Sequence, residues 1–281
     1  MPREVYEFRI PEECAAEVLG TGAGRDMQSD VRLVRVEKED PTFELLKHAD
    51  AVWRARGRPL ILGWKVRRTY SQSELNNFEL FQLEFPKAFE PAGEECGTLY
   101  NYDDACPICG AGRTMASSLK LKLAKVPNTD FSTSIAGDEV VVSERAVTVL
   151  MDCELSGVMF QEVVDSARPT CPRKLYYQLL PTSSKVSVVS PTVAGVHPLD
   201  TDERGQYRCP IGHTIGLNLL SEVFVRAADW NRADFVHSRE YVGVRRGLLV
   251  PRHLLLISAK TRDVLARSSL TGWKVEPAHL N

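Results

Sequence analysis

Val140-Val-Val-Ser143-Glu-Arg145 and Leu255-Leu-Ile-Ser258-Ala-Lys260 align without a gap at a shift of 115 residues. The alignment runs on through Val149-Leu150 over Val264-Leu265, then Leu155-Ser156-Gly157 over Leu270-Thr271-Gly272. Each copy has the same physical content. A short β-branched or aliphatic run forms a strand, and Ser143 or Ser258 then offers a hydroxyl to cap a helix of about three turns. Leu150 and Leu265 face the core, a glycine ends the helix, and a second strand returns. Two such units predict an α+β fold of mixed short strands and helices.

Upstream of each copy stands a knuckle, Cys106-Pro-Ile-Cys109-Gly110 and Cys209-Pro-Ile-Gly212-His213. They are offset by 103 residues rather than 115, so an insertion separates them from the repeated units. A Cys-x-x-Cys-Gly turn lets two thiolates converge on one metal, because glycine permits the tight reversal beneath them. Cys96 stands ten residues before Cys106, within reach of the same ion. The fourth position falls to Cys209 or His213, and either would staple the two repeats together. Thiolate sulfur with an optional imidazole favours Zn²⁺. Four protein ligands leave no position for water, and three thiolates alone make a poor Lewis acid, so the expected zinc is structural. Cys153 reads as packing, and Cys14 and Cys171 have no partner at ligand spacing.

The spacing divides the chain into residues 1–88, an amino-terminal α+β segment, then 89–170 with the first knuckle and unit, and 171–281 with the second of each. Strands are expected near Val5–Ile10, Val31–Val36, Phe78–Phe85, Tyr176–Leu180 and Lys185–Val189. Thr42–Arg56 predicts a helix with Phe43, Leu46, Ala49 and Trp53 on one face. Ser71-Gln-Ser-Glu74 is a capping box, and Leu217–Ala227 reads as a buried helix. Gly20–Gly24 and Pro198–Gly205 read as loops.

With 43% hydrophobic and 26% charged residues the chain can bury a real core. A formal net charge of −2 argues against non-specific polyanion binding as its main task. The longest apolar run, around Leu248–Ile257, is broken by Pro251, Arg252 and His253 and is too short for a membrane span. The start, Met1-Pro-Arg-Glu-Val-Tyr-Glu7, has no apolar signal core, so a cytoplasmic protein is expected. Seven cysteines in such a chain point to metal ligation and burial rather than disulfides. HExxH, G-x-S-x-G and Walker A patterns are missing, and the six histidines make no constellation. Lys65-Val-Arg67-Arg68 and Arg245-Arg246 are the densest basic clusters.

In its order of Cys106–Gly110, Val140–Val164, Cys209–His213 and Leu255–His279, the chain resembles the double-CxxCG-motif proteins best known from myxobacteria, assigned as toxin-neutralising immunity proteins. The resemblance covers residues 90–281, and Cys-Pro-Ile-Gly-His replaces its second CxxCG. It implies a bacterial, non-enzymatic cytoplasmic protein that binds a protein partner, a cognate toxin, and blocks it. A metal-dependent hydrolase and a zinc-knuckle protein associated with nucleic acid are the alternatives.

Overall fold

The alternation Tyr6, Phe8, Ile10 against Glu7, Arg9 decides the first layer, because successive strand residues point to opposite faces. The computed structural model describes residues 3–20, 22–27, 30–169, 174–203 and 205–281. It divides into two units: Met1–Leu75 with His197–Thr201, and Asn76–Val196 with Asp202–Asn281.

The first unit runs β1 (Arg3–Pro11), α1 (Glu12–Leu19), β2 (Arg25–Met27), β3 (Val31–Glu37), α2 (Pro41–Ala55), β4 (Gly63–Thr69) and a short α3 (Gln72–Leu75). Its antiparallel sheet has the order β2-β3-β1-β4, a split βαβ of ferredoxin-like topology. The core joins Tyr6, Phe8, Ile10, Val34 and Val36 to Phe43, Leu46, Ala49 and Trp53 of α2. Asp40 caps α2 by accepting from the Thr42 amide at 2.8 Å, with Pro41 pre-set at the first helical position. The capping box is present in both directions: Ser71 N donates to Glu74 Oε2 (2.8 Å) and Glu74 N to Ser71 Oγ (3.2 Å). His197–Thr201 belongs here because Leu199 packs on this core and His197 Nε2 lies 3.4 Å from Asp50.

In the second unit, the first half of the chain forms β5 (Leu80–Glu84), β6 (Ala88–Phe89), β7 (Tyr100–Asn101), β8 (Thr114–Met115), β9 (Lys120–Leu121), β10 (Phe131–Ser134), β11 (Val140–Ser143), α4 (Glu144–Asp152), β12 (Val158–Glu162) and β13 (Val164–Asp165). The remainder forms β14 (Tyr176–Pro181), β15 (Ala194–Gly195), β16 (Thr214–Gly216), β17 (Asn218–Leu219), β18 (Val223–Val225), β19 (Phe235–Val242), β20 (Arg252–Ser258), α5 (Ala259–Arg267) and β21 (Lys274–Leu280).

Two of its sheets share one plan. One has the order β12-β14-β11-β10-β6, and the other, read from the corresponding end, β21-β5-β20-β19-β16 with β18 added outside β21. The registers match pair for pair. Val141 faces Gln178 as Leu256 faces Gln82, and Gln161 faces Gln178 as Glu276 faces Gln82. Phe131 faces Val142 as Phe235 faces Ile257. The second strand of each order is exchanged: β5, which precedes the first knuckle, lies between β20 and β21, whereas β14, which precedes the second, lies between β11 and β12.

This exchange moves the expected domain limits. A break at residue 88 would detach β5 from the sheet it completes. The other expected limit, 170/171, lies outside the described residues, but β14 beyond it pairs back with β11 and β12. Two elements also differ from expectation. Leu217–Ala227 is extended, holding β17 and β18 with Val223 and Val225 buried, since a short apolar run cannot by itself distinguish helix from strand. Lys185–Val189 makes the isolated bridges Val186–Ser238 and Val188–Val225.

The two helical units hold each other crosswise. Ser143 Oγ accepts from Ala146 N (3.1 Å) and donates to Asp130 Oδ1 (2.8 Å); Ser258 Oγ accepts from Thr261 N (3.1 Å) and donates to Asp234 Oδ1 (2.6 Å). Each aspartate then reaches into the other half. Asp130 Oδ2 accepts from Thr271 N (2.8 Å) and Oγ1 (3.0 Å), and Asp234 Oδ2 from Ser156 N and Oγ, both at 2.9 Å. Gly157 and Gly272, both at positive φ, follow these residues, and a Cβ on either would collide with the carbonyl of Phe235 or Phe131. Leu150 and Leu265 are fully buried, each contributing about 1.5–3 kcal/mol of burial free energy. Among the described residues no helix is long and apolar enough to cross a membrane.

Candidate metal centre

The first knuckle lies in the loop closed by β7 and β8, where Tyr100 faces Met115 and Asn101 faces Thr114. Within the loop Cys106 N donates to Ala111 O and Gly110 N to Cys106 O, both at 2.8 Å, folding both cysteines towards one side. Behind it, buried Arg113 makes two bonds to Asp138 (3.0 and 2.6 Å) and lies 3.9 Å from the centre of the Tyr100 ring. Tyr100 donates in turn to buried Glu139. The second knuckle is fixed by Gly212 N to Cys209 O (2.9 Å), and by Cys209 N to Thr214 Oγ1 (2.9 Å) at the start of β16. Tyr241 N donates to His213 O at 2.9 Å, and Arg245 N to Cys109 O at 3.1 Å, so the strand and loop of the second half hold both knuckles.

Cys106, Cys109, Cys209 and His213 thereby form one group, with all ligand atoms within 4.8 Å of one another. Cys106 Sγ lies 3.8 Å from Cys209 Sγ. His213 Nδ1 lies 3.7 Å from Cys209 Sγ and 3.9 Å from Cys109 Sγ. A disulfide needs about 2.05 Å between sulfurs, so these thiols are unbonded. A tetrahedral ion with bonds of about 2.3 Å to sulfur and about 2.05 Å to nitrogen has edges of about 3.8 Å (S···S) and about 3.6 Å (S···N). These three separations lie close to those edges. The three cysteines are buried and His213 is half-buried.

The two thiols of the first knuckle differ. Hydrogen bonds from the backbone of Cys109 and Ile108 hold the Cys106 thiol down at about 6, while burial pushes the Cys109 thiol up to about 12. A bound cation would favour the thiolate form of such sulfurs. The buried cluster of three cysteines and one histidine can therefore hold a metal ion.

Cys209 and His213, alternatives in the sequence, both join the group. Cys96 does not. It ends a single turn, Glu94–Cys96, whose exit is tied to β9 by Thr98 Oγ1 donating to Lys120 O (3.2 Å) and accepting from Lys120 N (2.8 Å). The ten-residue spacing allows the approach, but this anchorage directs the chain elsewhere. Cys153 is the C-cap of α4 and Cys14 is buried in the first core, whereas Cys171 lies outside the described residues. Tyr241, packed against the cluster, carried no ligand pattern in the sequence. Arg245 and Arg246 stack over Tyr102 and Tyr207 at 4.5 and 5.1 Å. No protein-family model and no curated protein matches the chain.

Proposed function

We propose that Cys106, Cys109, Cys209 and His213 bind one structural Zn²⁺, and that the protein is a non-enzymatic cytoplasmic binding protein of immunity type that neutralises a toxin by capturing it. The observation that carries this is the donor set: three sulfurs and one nitrogen within 4.8 Å of one another, with three of the separations near tetrahedral edge lengths. Such a shell is closed to water, so the ion would act as a staple rather than a Lewis acid. Two donors come from each knuckle, and the sheets behind them share order and register with β5 and β14 exchanged. We read this as a duplicated unit whose halves are locked by strand exchange and by a shared metal. The order of knuckle, unit, knuckle, unit supports the immunity-type reading.

Elemental analysis with X-ray absorption on the purified protein tests the metal. One zinc per chain with three sulfur neighbours and one nitrogen is expected. An oxygen in the shell would point to a hydrolytic centre, and a metal-free protein would remove the basis of the reading.

A further inference from the structure

The first unit carries its helices on one face of the sheet, and the other face is cationic. By strand alternation and register, that outer face presents Arg3, Val5, Glu7 and Arg9 of β1. Beside them stand Arg25 and Met27 of β2, Leu33, Arg35 and Glu37 of β3, and Lys65, Arg67 and Thr69 of β4. Six cations therefore stand beside two carboxylates, in a chain whose formal net charge is −2. Both carboxylates are engaged. Glu37 accepts from Arg3 at 2.7 Å, and Glu7, its side chain 8% exposed, accepts from Arg35 Nε (2.8 Å) and Arg67 Nε (2.9 Å).

Glu7 works as a positioning residue. Burial opposes its charge, but the bonds from Arg67 and Arg35 prevail and hold its carboxyl below the usual range. Because it takes the Nε of each arginine, the two terminal nitrogens of each exposed guanidinium remain to meet a further anion, the fork that suits a carboxylate. Arg9, Arg25 and Lys65 are exposed and show no carboxylate partner among the described residues. The face measures about 20 by 15 Å, room for one extended segment of about six residues.

We infer that this open sheet face is a docking surface for an acidic segment of a partner protein. The inference rests on reading the chain as a binding protein and adds the class of partner. Two features favour protein over nucleic acid. Among the described residues no aromatic side chain stands on the face as a platform for base stacking. Glu37, Glu39 and Asp40 line its far end, beside a depression of about 900 Å³ that also holds Arg3, Arg35 and Arg67. A uniformly charged strand would be repelled there, whereas a peptide can place carboxylates over Arg9, Arg25 and Lys65 and a neutral or basic residue at the acidic end.

The probe is fluorescent poly-L-glutamate, titrated with the full-length protein at low and at physiological salt, beside a single-stranded and a duplex oligonucleotide. Saturable poly-L-glutamate binding that weakens several-fold with added salt is expected. Arg9→Glu with Lys65→Glu should weaken it at least tenfold, and neither residue has an ion pair among the described residues to lose on reversal. Lys47→Glu with Arg56→Glu, the same charge change on the helical side, should leave the affinity within about twofold. The proposal fails if poly-L-glutamate does not bind at low salt, if both variants lose binding equally, or if an oligonucleotide binds more tightly and is lost in the Arg9/Lys65 variant. Circular dichroism and zinc content on the same samples separate these outcomes from misfolding and from failure of the metal assignment, since the cluster lies in the other unit.

Discussion

In the first half of the second unit the knuckle offers Cys106 and Cys109; in the second half, Gly212 stands where the second thiol would be, and His213 follows it. Compared as sequences, the second knuckle looks like a decayed copy of the first. Compared in space, each contributes two donors to one cluster. The longer histidine side chain, one residue further along the turn, brings Nδ1 to 3.7 Å from Cys209 Sγ. A turn that lacks the second thiol can thus still place two ligand-type atoms in the cluster, because a neighbour supplies an equivalent one. The crosswise aspartates show the same economy, with Asp130 serving Thr271 and Asp234 serving Ser156.

The largest effect should fall on the knuckles. With one shared zinc, Cys109→Ser and His213→Ala should each lose the metal and lower the melting temperature by at least about 10 °C, a loss of several kcal/mol. A full equivalent of zinc retained in His213→Ala would break the equivalence of the knuckles. Next come the buried leucines: Leu150→Ala and Leu265→Ala should each cost about 2–5 kcal/mol in denaturant unfolding. A gap beyond about 1 kcal/mol would mean that one half relaxes around the cavity better than its counterpart.

Asp130→Ala and Asp234→Ala should each cost about 2–3 kcal/mol, because both leave donors unpaired at the junction of the halves. Asp234 also carries a pH signature. Burial opposes its charge, but hydrogen bonds from Ser156 and Ser258 and the nearby Lys260 outweigh it and hold the carboxyl below its usual range. A depressed carboxyl stabilises the fold above its unfolded value of about 3.9, and that contribution is lost as the pH falls through the folded value. His237 and His253, which burial holds down at about 3 and about 4, already cost stability as the pH falls below about 6.5. The melting temperature should therefore begin to decline there, and the further decline below about pH 4 should be shallower in Asp234→Asn. An unchanged decline would assign the acid sensitivity elsewhere. The smallest effects belong to Cys96→Ser and Cys153→Ala, which should keep one zinc and change stability by less than about 1 kcal/mol.

Local patterns carried well from sequence to structure. The capping box at Ser71 and Glu74, the buried face of α2 and the serine caps of α4 and α5 all depend on residues within a few positions of one another. The run Leu217–Ala227 did not, because its apolar residues suit a strand between neighbours as well as a helix, and only the neighbours decide.

By itself the sequence determined the mixed α+β class, the two strand–helix–strand units and the candidate metal donors, since these follow from short-range periodicity, capping and spacing. Only the tertiary structure decided that β5 and β14 exchange sheets, that Cys209 and His213 both join Cys106 and Cys109, and that Cys96 stands apart. Those outcomes depend on pairings between distant segments, where spacing sets what a chain can reach and packing sets what it meets.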